Sequence, residues 1–85
     1  MYHVFILFSP VVDRYFVGST SNLDKSISRH NSGKNKHTKS GIPWNLVYKM
    51  SFESRKESIK KEEEIKTSTG RNNLIEFIKS RENEV

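Results

Sequence analysis

Two apolar segments close together near one end, His3-Val4-Phe5-Ile6-Leu7 and Tyr15-Phe16-Val17-Gly18, set the strongest constraint on this chain. Val4–Phe8 is apolar without alternation, the pattern of a strand covered on both faces. Ser9-Pro10 and Asp13 supply turn chemistry before a second strand at Arg14–Ser19, so the pair predicts a β-hairpin. A strand buried on both faces needs layers on both sides of its sheet, and the remaining sequence must provide them.

It does so in order. Ser21 and Asp24 have capping-box spacing, Leu23 and Ile27 are four apart, and Gly33 fits a helix stop, which predicts a helix over Asn22–Ser32. Asn31–Pro43 holds Gly33, Gly41, Lys34, Lys36, Lys39 and His37 without an apolar period; loops of this length in compact domains are commonly functional or mobile. Trp44, Leu46, Tyr48 and Met50 then alternate with Asn45, Val47 and Lys49, predicting a third strand with one apolar face. Ser54 and Glu57 open a second helix to about Thr67, Gly70 breaks it, and Leu74, Ile75 and Ile78 share one face of a final short helix. The predicted fold is α+β: a three-stranded antiparallel sheet flanked by about three helices in the order β-β-α-β-α-α. A chain of 85 residues has room for one domain, expected over residues 1–79 with a frayed tail at 80–85.

Composition narrows the function classes. The absence of cysteine excludes disulfides and Cys-ligated zinc, and three scattered histidines make no zinc site. Val4–Phe8 is too short for a membrane span and no basic segment precedes it, so a cytoplasmic protein without membrane association is the expectation. A formal net charge of +5 on so short a chain favours phosphate-rich partners or an acidic surface.

Candidate chemistry is concentrated at a few positions. At about 100° per residue, Ile59 and Ile65 lie about 60° either side of Glu62, whereas Glu63 and Glu64 point away. Glu62 is therefore expected at the centre of its helix's packing face, where a carboxylate needs a partner, a hydrogen bond or a metal. Two readings are open there: a functional carboxylate, or an edge residue paired with Lys66 one turn on. His30 ends the first helix near its core-facing side, suited either to proton transfer and phosphate contact or to simple capping. Arg29, Lys34, Lys36, His37 and Lys39 form either a surface for a nucleic-acid backbone or a solvated loop.

Taken in order, these pieces resemble the GIY-YIG nuclease family, and specifically its small stand-alone bacterial domains, over about Tyr2 to Ile78. The first signature triplet corresponds to His3-Val4-Phe5 and the second to Phe16-Val17-Gly18. Arg29-His30-Asn31, Ser32-Gly33-Lys34, His37-Thr38, Pro43-Trp44 and Glu62-Glu63-Glu64-Ile65-Lys66 follow at matching spacing. The resemblance implies a divalent-metal-dependent DNA phosphodiesterase, with magnesium or manganese held at Glu62 and His30 supporting the site. It implies further that the family's two tyrosines activate water and position phosphate, and that an arginine in the first helix stabilises charge.

This sequence departs from that pattern at three places. Phe5 and Phe16 stand where the family has tyrosine, and Ser26 stands where it has arginine. Tyr15 and Tyr2 lie at odd offsets from the two phenylalanines and face the other side of their strands. Arg29 is about 60° from the Ser26 direction and is the better replacement for the missing charge; Lys25, about 100° away, is the poorer. The catalytic positions are thus Phe5, Phe16, Ser26, His30 and Glu62, on a domain expected to bind DNA with lost or strongly reduced hydrolysis. The rivals are an active endonuclease relying on His30, Glu62 and a metal-bound water, and a protein-interaction module on a retained nuclease fold.

Overall fold

The computed structural model describes residues 1–67 together with Glu76 and Ile78. Strands β1 (Tyr2–Ser9), β2 (Arg14–Thr20) and β3 (Asn45–Phe52) form one antiparallel sheet in the order β2-β1-β3. Helix α1 (Leu23–Asn31) follows β2, a single 3-10 turn occupies Lys39–Gly41, and α2 (Arg55–Lys66) follows β3. The expected α+β architecture is present.

The central position of β1 explains its unbroken apolar run. Val4 and Ile6 join Val17, Ile65 and Ile78 on the face covered by α2. Phe5 and Leu7 join Trp44 on the opposite face, with Phe16, Leu23, Ile27 and Ile42 packed around them from β2, α1 and the loop. Val4, Phe5, Ile6 and Leu7 are all no more than 2% exposed. Each such side chain contributes about 1.5–3 kcal/mol of burial, so this one strand anchors both layers.

Local details correct the sequence reading at three points. The cap of α1 is Asn22 rather than Ser21: its side chain accepts the Lys25 N–H at 3.1 Å. Thr20 fixes that choice, because its Oγ1 accepts the Asn22 N–H at 3.1 Å and so sets where the chain turns into the helix. In β3 the apolar alternation does not survive. Ile6 pairs with Tyr48 but Leu7 pairs with Leu46, leaving Val47 as an extra residue in a bulge. Tyr48, Met50 and Val47 consequently pack on the α2 side, Trp44 on the other, and Leu46 is 39% exposed.

The third correction concerns the basic segment after α1, which is pinned rather than open. The Asn31 side chain donates to the Trp44 carbonyl at 3.0 Å and accepts the Trp44 N–H at 2.6 Å. The Trp44 indole donates to the Thr38 carbonyl at 2.7 Å, and the Ser9 hydroxyl donates to the Gly41 carbonyl. A side chain on Gly41 would collide with this arrangement, its Cβ falling 2.5 Å from the Trp44 ring.

Ser54 caps α2 as expected, accepting the Glu57 N–H at 3.2 Å. The final helix predicted around Leu74 and Ile75, and the tail at 80–85, lie outside the described residues apart from Ile78, which is helical and buried. Among the described residues no helix is long and apolar enough to cross a membrane.

Candidate active site

An open concavity of about 370 Å³ lies at the edge of the sheet formed by β2, where α1 approaches from one face and α2 from the other. It gathers Phe5, Phe16, Ser26, Arg29, His30 and Glu62, residues contributed by four separate elements.

Its floor is aromatic. The Phe5 and Phe16 rings are 6.2 Å apart, and His30 lies 4.6 Å from Phe16 and 6.1 Å from Phe5, measured between centroids. Gly18 pairs with Phe5 across the sheet, and a Cβ there would fall 2.8 Å from Phe5 Cζ and 3.1 Å from Phe16 Cε1. Glycine is what lets both rings lie against β2.

His30 is buried, and its Nδ1 is hydrogen-bonded to Thr38 Oγ1 at 3.1 Å. Thr38 is itself 1% exposed and carries the Trp44 indole on its carbonyl, so the pinned loop fixes the imidazole orientation. Burial, and then the neighbouring Arg29 cation, hold the His30 pKa below its ordinary value. The imidazole is therefore neutral at physiological pH. Its Nε2 makes no hydrogen bond among the described residues.

Ser26 does not fill the role of a cation. Its hydroxyl donates to Thr20 Oγ1 at 2.7 Å and so belongs to the turn that starts α1. Arg29 is exposed and lines the concavity alongside it.

Glu62 sits at the rim rather than at the centre of a packing face. Ser58 and Ile65 are 1% and 3% exposed whereas Ile59 is 36% exposed, which rotates the buried face of α2 to one side of Glu62. The Glu62 side chain remains 18% exposed; Oε1 is 3.5 Å from Lys66 Nζ and Oε2 is 3.5 Å from Ser19 Oγ. Ser19 escaped the sequence reading, although its even offset from Val17 places it on the α2 side of β2.

Lys36, His37 and Lys39 are exposed and do not line the concavity; Lys34 lines a neighbouring groove. Among the described residues no three His, Cys, Asp or Glu side chains cluster as a metal cage. A lone carboxylate with a hydroxyl beside it suits a hard ion such as magnesium, which is commonly held by one or two carboxylates, water and a substrate phosphate.

The sequence matches the family profile described as the GIY-YIG catalytic domain over residues 1–75. A UPF0213 protein of Staphylococcus haemolyticus is 43% identical over 53 residues, covering 61% of this chain and 65% of the relative. In the first two curated relatives the match thus spans just under two thirds of their length. A UPF0213 protein of Staphylococcus aureus is 36% identical over 67 residues, covering 78% of this chain and 80% of the relative. The solution NMR structure of a UPF0213 protein from Bacillus halodurans is similar with a TM-score of 0.56 and 30% identity, covering 91% of this chain and 85% of that one.

Proposed function

The chain belongs to the GIY-YIG family, and from that premise we propose that it binds DNA at the β2-edge concavity with its phosphodiester hydrolysis lost or strongly reduced. The observation that carries the reading is the floor of the site. Phe5 and Phe16 present rings without a hydroxyl, and the Ser26 hydroxyl is committed to Thr20. The family's nucleases generally depend on a metal ion.

Glu62, with Ser19 beside it, is the residue that would hold a magnesium or manganese ion. When bound, such an ion supplies positive charge against the phosphate oxygens. Arg29 supplies a cation in the same lining. His30, neutral and tied through Nδ1 to Thr38, offers Nε2 as one hydrogen-bonding atom. What is missing is a hydroxyl to orient water and a cation at the Ser26 position. One well-placed donor to a developing oxyanion is commonly worth about 10²–10³ in rate, and an acid–base group about 10²–10⁴. These factors do not multiply fully when the groups act together.

The test is nicking of supercoiled plasmid with magnesium or manganese. The natural chain is expected to give no cleavage above background, whereas the triple variant Phe5→Tyr, Phe16→Tyr, Ser26→Arg regains part of it. Adding Glu62→Ala to the triple variant should silence it. Nicking by the natural chain that disappears with Glu62→Ala would overturn the reading in favour of an active endonuclease.

A further inference from the structure

The concavity at the β2 edge has a neighbour on either side, and each shares one lining residue with it. Arg29 also lines a groove of about 420 Å³ along the outside of α1, together with Lys25, Ser28, Ser32 and Lys34. Ser19 also lines a groove of about 470 Å³ that includes Tyr2, Ser21 and Arg55 at the start of α2. Among the described residues, neither groove has a carboxylate in its lining. Lys25, Arg29, Lys34 and Arg55 are all exposed, and none is in an ion pair among the described residues.

We propose that the three concavities form one continuous track for the sugar-phosphate backbone of a nucleic-acid strand, with the central phosphate at Arg29. Phosphates on one side lie in the cationic arm of Lys25, Arg29 and Lys34. Those on the other lie in an arm where, among the described residues, Arg55 is the single cation and the hydroxyls of Tyr2 and Ser21 provide hydrogen bonds. Lys25 and Arg29 are one helical turn apart on α1 and so face the same groove. Arg55 lies far from them in sequence and is brought to the track only by the fold. Lys36 and Lys39, the cations most prominent in the sequence, stand off it.

This proposal rests on the DNA-binding reading and adds its geometry: the two arms differ in charge, so they differ in salt dependence. Each phosphate neutralised contributes about 0.9 to the slope of log affinity against log salt on duplex DNA and about 0.7 on a single strand. Fluorescence anisotropy with a labelled DNA oligonucleotide, single-stranded and duplex, and with RNA of the same sequence, measures these slopes directly. Lys25→Ala with Lys34→Ala should lower the slope by nearly two phosphates' worth and Arg55→Ala by about one, with thermal midpoints unchanged. Lys36→Ala with Lys39→Ala should leave it as it is.

Binding by the natural chain that is insensitive to Lys25, Lys34 and Arg55 but sensitive to Lys36 and Lys39 would overturn the track and leave the DNA-binding reading standing. Failure of the natural chain to bind any of the oligonucleotides at low salt would overturn both. RNA bound more tightly than DNA with the same two-armed pattern would uphold the track and overturn DNA as its occupant.

Discussion

On the α2 face of the sheet, Val4, Ile6, Val17 and Ile65 meet as an aliphatic core; on the α1 face, Phe5, Leu7 and Trp44 share burial with Ser9, His30 and Thr38. The first face closes mainly by apolar area, and among the described residues its buried polar group, Ser58, bonds its own helix at the Arg55 carbonyl. The second face is tied by directional bonds from Asn31 to Trp44, from Trp44 to Thr38, and from Thr38 to His30. Non-directional burial can hold a fold together but cannot aim an imidazole. The polar face performs that aiming, and the candidate site opens beside it.

Truncating one large buried side chain on each face tests the contrast most severely. Ile6→Ala and Trp44→Ala should cost about 2–5 and about 3–5 kcal/mol respectively in urea unfolding, a large part of the stability of so small a domain. Their consequences should then separate. In Ile6→Ala the folded fraction should keep the His30 side-chain NMR signals, whereas in Trp44→Ala they should move because Thr38 has lost its indole donor. Equal disturbance of His30 by both would dissolve the distinction between the faces. A smaller change on the site side is Gly18→Ala, whose Cβ would meet Phe5 Cζ at 2.8 Å. Overpacking of that kind should cost about 1–3 kcal/mol and shift the Phe5 and Phe16 ring resonances together.

The two faces were also unequally legible in the sequence. The unbroken run Val4–Phe8 announced a strand covered on both sides, and the helices came from caps and four-residue apolar spacing, so the α+β layers could be read off. The β3 bulge could not, because alternation through Trp44, Leu46, Tyr48 and Met50 is as good a pattern as the one realised; pairing with β1 decided it. Among the candidate site positions, Phe5 and Phe16 came from the resemblance, whereas Glu62 and His30 were already singled out by their places on the helices. Asn31 and Thr38 stood in the resembling segments without a role, and the bond of Ser19 to Glu62 was not legible because 43 residues separate them. The loop lysines drew attention by composition, yet composition does not say which way a surface side chain faces.

Titration probes the polar face more gently. The folded-state pKa of His30 lies below the unfolded value of about 6.5, so between the two the unfolded chain binds more protons than the native one. Stability should therefore be level above pH 6.5 and decline as pH falls through that window, ceasing to change on this account below the folded pKa. Urea midpoints across pH 5–8 measure it, and His30→Gln should flatten the decline. An undiminished decline in His30→Gln would assign the acid sensitivity to other groups and remove His30 as the titrating element of this face.

The smallest expected change in stability comes from the site's far rim and decides between the two readings of Glu62. Lys66 approaches Oε1 at 3.5 Å, but its side chain is 56% exposed, and ion pairs one helical turn apart at a surface contribute only about 0.3–0.5 kcal/mol. Lys66→Ala should therefore lower stability by less than about 0.5 kcal/mol. Its effect on ion binding should be the opposite, because removing an ammonium from one carboxylate oxygen frees that oxygen and lifts a local repulsion against a divalent cation. Manganese-induced broadening of the Ser19 and Glu62 resonances should then appear at lower ion concentration in Lys66→Ala and vanish in Glu62→Gln. If Lys66→Ala instead costs as much as a core truncation and leaves manganese binding unmoved, Glu62 is a structural ion-pair partner, and among the described residues the β2 edge then has no carboxylate free to take part in chemistry.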